Sequence, residues 1–461
     1  MLIRFNVKNF LSFSTRIDKS SEEFSMIAGK VRNKKEHIYT DDKIKILKFA
    51  AVFGANASGK SNLVKALDFM RSMIIQRQIS GYSEKYCKTD SENKTKPSYF
   101  EVEMLIEDRY YAYGFEMILN QNKIISEWLI ELKANGSEKV LFERDVNKGT
   151  YEFQGTLGNE KLKNILNIYA NDIKTDESIL FLSLMNTNKK SLYKEHESAD
   201  ILRKVYDWFL TDLDINYPDR PISDYSYMSN KENVEEICKL ISAFGTGITN
   251  YKIVEVPPER VLNVLPNQLR EKILSDLEER SINKKRNKNV NEFGIMMRSN
   301  HDFFILEVNK EDEVICKTIQ FQHGEKNTLF NLYEESDGTI RILDLLEILL
   351  SDHKTFVVDE LDRCLHPSLT YKFIETYLNV AKNKDIQLIV TTHESRLMDF
   401  DLLRRDEIWF VDKRYPGFSD MYSLEEYNSR FDQKIDKAYL DGRYGGVPLF
   451  DTIFPFKEEE K

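Results

Sequence analysis

Residues 54–61 combine the residue types and the spacing that cradle the phosphates of a nucleotide. They fit the pattern G-x-x-x-x-G-K-[ST] without a departure. In such a loop the backbone N–H groups wrap the phosphates, a lysine places its charge beside the β and γ phosphates, and a serine hydroxyl can bind Mg²⁺. The sequence therefore predicts that ATP and Mg²⁺ bind at Gly54, Asn56, Ala57, Ser58, Gly59, Lys60, Ser61 and Asn62.

Two elements would position this loop. Residues 45–53 end in an apolar run, as expected of a central strand that is covered on both faces. After the loop, apolar residues recur at helical spacing, namely Leu63, Ala66, Leu67, Met70 and Ile74. A helix that begins here turns its positive N-terminal end toward the phosphates. The order of strand, loop and helix makes an ordinary glycine-rich turn a weak explanation of the motif.

A second apolar strand ends in paired carboxylates, Asp359 and Glu360. Asp359 would help to hold Mg²⁺, and Glu360 would polarise the water that attacks the γ phosphate. Many buried strands end at a carboxylate, so this pair does not identify a site by itself. Together with the phosphate loop it predicts a nucleotide hydrolase, with Ser61 and Asp359 at the metal.

Two further motifs lie on either side of the carboxylate pair. Residues 335–339 (Glu-Ser-Asp-Gly-Thr) open an apolar helix, and another apolar strand ends at His393. Taken singly, Ser336 is most simply a helix N-cap and His393 a loop histidine. Only the order of these motifs along the chain indicates a role beyond a helix N-cap and a loop histidine.

The order of phosphate loop, Ser-x-Gly helix, Asp-Glu strand and strand-His resembles the ABC ATPase superfamily. The resemblance implies that Ser336 and Gly338 bind the γ phosphate of ATP held by the opposite subunit, so that hydrolysis needs a dimer. It also implies that His393 is a switch histidine that acts with Glu360 in catalysis, and that Asp362 lies in the loop that couples the two sites. The signature differs from the usual Leu-Ser-Gly-Gly-Gln, which disfavours a transporter.

A narrower set of motifs resembles the bacterial ATPases of two-gene phage-defence and abortive-infection systems, of the RloA, AbiL and AriA type. The motifs are Asn9-Phe10 and residues 54–61, 335–338, 359–362, 365–367 and 439–448. In those systems the ATPase partners a separately encoded nuclease toxin. The resemblance implies a sensor and scaffold that holds or releases such an effector according to nucleotide state and a phage trigger. Residues 365–367 and 442–445 are equally well interpreted as structural turns.

The resemblance implies an α/β fold of the ABC-ATPase head type with a parallel P-loop sheet, and the residue patterns add an antiparallel β lobe and a mostly helical insertion. Short alternating segments between residues 99 and 153 indicate the lobe, and a mostly helical pattern over 157–285 indicates the insertion. The expected boundaries are 1–155 for the N-terminal part of the head, 156–300 for the insertion or lid, and 301–461 for the C-terminal part.

The formal net charge of −10 argues against a protein that coats nucleic acid, because phosphate neutralisation needs a basic surface. Two stretches, residues 30–35 and 283–288, are basic. We interpret them first as solvated loops, and the alternative interpretation is that they contact nucleic acid. The main rival hypothesis is a RecF- or SMC-like DNA-repair ATPase, which shares the Asn9-Phe10 motif and predicts ATP-dependent DNA binding. The sequence therefore does not decide whether the chain binds DNA. A third hypothesis, an ATP site with only a structural role, is disfavoured because Glu360 and His393 are both present.

The cysteine content and the hydropathy of the chain bear on its compartment. Four cysteines without metal-ligand spacing fit a reducing cytosol and argue against a zinc site or a disulfide framework. No apolar run is long enough to span a bilayer, and the N-terminal residues lack a signal-peptide pattern. We therefore expect a cytoplasmic protein with no membrane partner, and the resemblance to the ABC ATPases implies that it is a homo-oligomer.

Overall fold

A computed structural model describes residues 1–15, 21–40, 44–77, 80–133, 137–220, 222–223, 225–229, 234–286, 294–299, 301–309, 311–324, 328–427 and 435–447. Residues 287–288 of the basic stretch and residue 448 of the C-terminal motif lie outside this description. The chain divides into two compact units. Unit 1 comprises Met1–Ile215, Asp352–Leu361 and Leu378–Lys461, and unit 2 comprises Asn216–Ser351 and Asp362–Tyr377.

Seven strands of unit 1 form a sheet in the order β10-β9-β8-β7-β6-β1-β2. Their bounds are β1 Leu2–Lys8, β2 Glu22–Ser25, β6 Ser98–Ile106, β7 Arg109–Ile118, β8 Lys123–Leu132, β9 Glu138–Asp145 and β10 Thr150–Phe153. Alternate residues along most of β6 are buried, because successive side chains of a strand point to opposite faces. Every pair of neighbouring strands is antiparallel, which confirms the antiparallel lobe predicted from the alternating segments.

A second sheet of unit 1 has six strands in the order β11-β17-β18-β5-β19-β20. Their bounds are β5 Phe49–Phe53, β11 Leu213–Asn216, β17 His353–Val358, β18 Asp385–Thr391, β19 Ile408–Arg414 and β20 Phe418–Ser423. Strands β17, β18, β5 and β19 pair in parallel, and all five residues of β5 are buried. A strand that is buried on both faces needs an unbroken apolar run, which is the pattern that predicted it.

The strand predicted over residues 45–53 is interrupted at Lys48. The part before the break belongs to a separate two-stranded pair, which consists of β3 Ile38–Thr40 and β4 Lys45–Leu47. The Lys48 side chain is buried, and its Nζ donates to the carbonyl oxygens of Ala381 at 2.7 Å and Lys384 at 2.8 Å. A buried ammonium group requires such acceptors. Lys48 therefore marks the point where the chain passes from one sheet to the other.

The helices of unit 1 are α1 Lys60–Gln76, α2 Glu160–Asp172, α3 Phe181–Met185, α4 Lys190–Glu195, α5 Asp200–Asp207 and α11 Ile435–Leu440. Helix α1 follows the phosphate loop as predicted, and it buries the apolar residues whose spacing predicted it. None of the helices within the described ranges is long and apolar enough to cross a bilayer.

A buried ion pair fixes the chain after α2 onto the antiparallel sheet. Glu127 of β8 is fully buried and accepts hydrogen bonds from the backbone N–H groups of Phe181 at 2.6 Å and Leu182 at 3.0 Å. Arg144 of β9 lies 3.8 Å from Glu127 and donates to three carbonyl oxygens within residues 173–179. Burial raises the pKa of Glu127 and lowers the pKa of Arg144, and the attraction between the two charges opposes both shifts.

Unit 2 is built on an antiparallel sheet in the order β12-β15-β14-β13, with β16 paired to β15. The strand bounds are β12 Ile248–Val256, β13 Ile295–Arg298, β14 Phe303–Val308, β15 Val314–His323 and β16 Leu329–Asn331. The helices are α6 Val234–Ala243, α7 Glu259–Leu262, α8 Asn267–Arg286, α9 Asp337–Leu350 and α10 Pro367–Ala381, the last of which ends in unit 1. A core cluster joins the sheet to α7 and α8 through Val261, Ile273, Leu277, Leu306 and Cys316.

Candidate functional site

The carboxyl ends of parallel strands meet at one edge of the six-stranded sheet. The phosphate loop follows β5, Asp359 follows β17, and His393 follows β18. In open α/β sheets, ligands bind at this edge, where the loops leave the strands. The sheet therefore brings the phosphate loop, the acidic pair and His393 to the same edge of unit 1.

The phosphate loop has a backbone conformation that depends on small residues. Ala57 and Gly59 have φ values of 62° and 116°, in the left-handed region. A Cβ atom at Gly59 would overlap Ser419 Oγ, so no larger residue fits there without displacing that side chain. The Nζ of Lys60 donates to the carbonyl oxygen of Gly54 at 2.8 Å. The amine thus lies within the loop, where it can reach bound phosphates.

The other predicted contact residues of the loop take different positions. Asn56 and Ala57 are exposed, whereas Ser58 is buried. Asn62, in the first turn of α1, donates from Nδ2 to Ser12 Oγ at 2.7 Å. The amide of Asn62 therefore joins the start of α1 to Ser12, in the segment that follows β1.

Ser61 and Asp359 lie together, as a shared Mg²⁺ ion requires. Ser61 Oγ donates to Asp359 Oδ1 at 3.0 Å, and Thr391 Oγ1 donates to the same oxygen at 2.5 Å. Hydroxyl and carboxylate oxygens are ligands that Mg²⁺ takes in proteins, usually with substrate phosphates and waters completing the octahedron. The residues present therefore fit Mg²⁺. Neither here nor elsewhere in the described part of the chain do three or more His, Cys, Asp or Glu side chains form a group that could hold a metal ion by themselves.

Glu360 is held in an unusual backbone conformation. Its φ is 49°, in the left-handed region, where a residue other than glycine is strained by about 1–3 kcal/mol. Its backbone N–H donates to Thr391 Oγ1 at 2.8 Å. Thr391 therefore contacts both acidic residues and fixes the turn that follows β17. Such strain persists where the surrounding structure imposes it, which is common at functional sites.

His393 is exposed just beyond the end of β18. Thr391 and Thr392, which precede it, are buried, and the N–H of Thr392 donates to the carbonyl oxygen of Val52 in β5 at 3.1 Å. These contacts extend the pairing of β18 with the strand that leads into the phosphate loop. His393 thus leaves the sheet beside that loop.

The signature residues lie at the start of α9 in unit 2. Ser336 is the N-cap, and its Oγ accepts a hydrogen bond from the N–H of Thr339 at 3.2 Å. A Cβ atom at Gly338 would lie 3.0 Å from the carbonyl oxygen of Cys364, so the helix start packs closely against the turn that begins at Asp362. An exposed serine hydroxyl at the positive end of a helix suits an anion.

Sequence reasoning missed two serines that support the phosphate loop. Ser419 of β20 is buried, and its Oγ lies 2.5 Å from the carbonyl oxygen of Ser58 and 2.6 Å from Ser12 Oγ. Its N–H donates to the carbonyl oxygen of Ser12 at 2.8 Å. Ser12 follows the Asn9-Phe10 motif closely, which was a usable signal. Ser419 has no local signal, because its role depends on the pairing of distant segments.

Replacing Ser419 by alanine is expected to weaken ATP binding. The change removes the donor to the buried carbonyl oxygen of Ser58, and an unsatisfied buried group costs about 1–3 kcal/mol. The dissociation constant of a fluorescent ATP analogue measures the effect, with exposed Ser91→Ala as the control. Equal affinities of Ser419→Ala and Ser91→Ala would show that the serine does not support the loop.

Residues 439–446 pack against the beginning of the phosphate loop. A Cβ atom at Gly446 would lie 3.5 Å from Gly54 Cα, and Tyr439 OH donates to the carbonyl oxygen of Gly446 at 2.9 Å. Tyr439 stacks on Phe410 with the ring centroids 5.5 Å apart, and burial raises the pKa of Tyr439 to about 12. The C-terminal motif therefore forms a turn that lies against the loop.

Residues 365–367 lead into α10, which begins at Pro367. The carbonyl oxygen of His366 accepts a hydrogen bond from the N–H of Leu369 at 2.8 Å, and Pro367 is the first residue of the helix. Proline is favoured at this position because its missing N–H would have no partner in the helix. This motif has the geometry of a structural turn.

Comparison with known proteins identifies the family. A family model described as "AAA domain, putative AbiEii toxin, Type IV TA system" matches residues 49–399, which is more than half of the chain. No curated protein matches. Similar solved structures include a Smc head bound to the C-terminal winged-helix domain of ScpA, at 14% identity and a TM-score of 0.42, over 92% of this chain and 97% of that one.

A second similar structure is the SMC head domain from Thermotoga maritima, at 13% identity and a TM-score of 0.35, over 92% of this chain and 98% of that one. A third is a Smc head domain with an extended coiled coil bound to the C-terminal domain of ScpA derived from Pyrococcus furiosus. Its identity is 14% and its TM-score 0.38, over 92% of this chain and 97% of that one. The matched residues 49–399 include the phosphate loop, the signature, the acidic pair and His393. The chain therefore belongs to the AAA-domain family that this model describes.

Proposed function

We propose that the chain binds ATP with Mg²⁺ and hydrolyses it to ADP and phosphate. The observation that carries this proposal is the meeting of Ser61 with Asp359, next to Glu360, at the edge of the sheet that bears the phosphate loop. A magnesium ion bound there would neutralise charge on the phosphates. Lys60 adds a second positive charge, and Glu360 orients and polarises the attacking water.

The proposed active unit is a dimer of this chain with composite sites. Ser336 and Gly338 of one copy would contact the γ phosphate held by the phosphate loop of the other, and the end of α9 would stabilise the charge on that phosphate. His393 of the copy that holds the nucleotide would contact the same γ phosphate. Asp362, next to the signature helix in unit 2, would link the two sites.

Replacing Lys60 by alanine is expected to remove most of the ATP affinity. The change deletes the positive charge that lies in the loop, and charge-assisted hydrogen bonds are about twice as strong as neutral ones. Titration with a fluorescent ATP analogue measures the loss. Lys65→Ala is a matched control, because Lys65 is exposed on the same helix. Full affinity in Lys60→Ala would place the nucleotide elsewhere.

The wider role that we propose is a cytoplasmic sensor and scaffold in a bacterial defence system against phage. The chain would control a separately encoded toxin or nuclease through ATP-dependent assembly of its heads, in response to a phage trigger. Support comes from the family description, which names a toxin and a toxin–antitoxin system. The motif set of the sequence supports the same role.

A co-expression experiment tests the wider role. The chain is tagged and expressed with the reading frame beside its gene, partners are pulled down, and the cells are challenged with phage. Co-purification of a nuclease-like neighbour, with protection lost in Lys60→Ala, is the expected result. ATP-dependent retention of the chain on DNA, with neither partner nor protection, would replace the proposal by a RecF- or SMC-like repair ATPase.

A further inference from the structure

The segment that leads into the signature helix is clamped to the end of β15. Strand β16 pairs with β15, and Gln320 Nε2 donates to Asn331 Oδ1 at 3.0 Å. Further along, Glu335 Oε1 lies 2.7 Å from Nε2 of His323, the last residue of β15. Glu335 is the residue directly before Ser336. Two side-chain pairs therefore tie the approach to α9 to a single strand.

The pair of His323 and Glu335 has the features of a fixed contact. The Glu335 side chain is only 5% exposed, whereas His323 is 32% exposed. A carboxylate withdrawn from water needs a donor, and a proton on Nε2 of the His323 imidazole supplies it. The rings of His323 and Phe330 are nearly perpendicular, with their centroids 5.1 Å apart. Gly247 leaves room for the imidazole, since a Cβ atom there would lie 3.3 Å from Nδ1. His323 is thus itself held in place.

The position of Glu335 determines the position of Ser336. Both residues have extended backbones, with φ and ψ of −79° and 154° at Glu335 and −71° and 152° at Ser336. They form the link between a 3₁₀ turn and α9, so a shift of Glu335 is transmitted to the next residue.

We propose that His323 is a positioning residue of the composite ATP site. By holding Glu335, it fixes Ser336 beside the γ phosphate of the nucleotide bound by the partner copy. This inference rests on the proposed function. It assigns His323 an effect on the site of the other copy and none on the phosphate loop of its own.

Three variants test the role of the imidazole. His323→Leu removes the donor and is expected to lower ATP turnover by about 10- to 100-fold, the effect of misplacing a group by about an ångström. His323→Gln keeps an N–H donor and is expected to recover most of the turnover. His301→Leu is the control, because exposed His301 lies 3.9 Å from Asp337 at the same helix start. Binding of a fluorescent ATP analogue should be equal in all three.

A mixing experiment separates action on the partner copy from a merely structural role. His323→Leu and Lys60→Ala copies with different tags are purified as mixed dimers. One composite site then combines an intact phosphate loop with an intact signature, so turnover is expected to recover above that of either variant. A structural defect within the His323→Leu copy would leave both sites impaired, and turnover would stay low.

Two results would overturn the inference. One is wild-type turnover in His323→Leu, and the other is the absence of recovery in the mixed dimers. Neither result would touch the proposed hydrolysis of ATP, since the wild-type chain is assayed in parallel. Absence of turnover in the wild-type chain would instead refute the proposed function itself.

Discussion

Replacing Glu360 by glutamine is expected to lower ATP turnover by about 10²- to 10⁴-fold, the contribution of a general base. Glutamine keeps the shape of the side chain, so the turn held by Thr391 should persist and ATP should still bind. With hydrolysis blocked, the ATP-bound dimer should accumulate. Phosphate release measures the turnover, and size-exclusion chromatography with and without ATP measures the dimer.

Glu375→Gln is the matched control, because Glu375 is a partly exposed glutamate on α10 that pairs with Lys372. It should hydrolyse ATP at the wild-type rate and should not trap a dimer. Wild-type turnover in Glu360→Gln as well would show that another group activates the water. Equal and negligible rates in the wild-type chain and Glu360→Gln would favour a structural ATP site.

The largest effect on stability is expected from Arg144→Met. Removal of this side chain leaves Glu127 buried without its ion partner and takes the donor from three carbonyl oxygens within residues 173–179. Breaking a buried ion pair by removing one partner costs about 3–5 kcal/mol. The free energy of unfolding of unit 1, from urea denaturation followed by tryptophan fluorescence, should fall by this amount.

Arg109→Met provides the comparison on the same sheet. Arg109 lies 3.7 Å from Glu131 and is 63% exposed, so its pair is screened by water and contributes about 0–1 kcal/mol. The two variants lose the same charge and differ in the burial of the site. Similar unfolding free energies for both would show that the chain after α2 is not held by the buried pair.

The parts of the fold that depend on local sequence could be predicted. The phosphate loop, the strand before it and α1 follow one another, so the pattern of residues 45–76 contains all three. Asp359 and His393 could be placed because parallel strands share an edge. The break at Lys48 could not be predicted, since the acceptors of its ammonium group lie near residue 381, far along the chain.

Long-range contacts explain what the sequence left open. The contact of Ser419 with the carbonyl oxygen of Ser58 joins residues that are 361 positions apart in the sequence. The spacing of apolar residues indicates local helices and strands and contains no information on such a contact. The pairing of β12 with β15 likewise joins segments that α7, α8, β13 and β14 separate along the chain. Residues 156–300 contain the strands β11, β12 and β13 beside their helices. The predicted roles of Ser336, Gly338 and Asp362 depend on a second copy, so they stay predictions that the variants above can test.

The placement of β5 has a consequence for the synthesis of the protein. This strand carries the phosphate loop, yet its neighbours in the sheet are β18 and β19, which end at Thr391 and Arg414. A growing chain on the ribosome therefore contains the loop residues long before it contains the strands that hold them. We therefore expect the phosphate loop to reach its final conformation only after β18 and β19 have been synthesised.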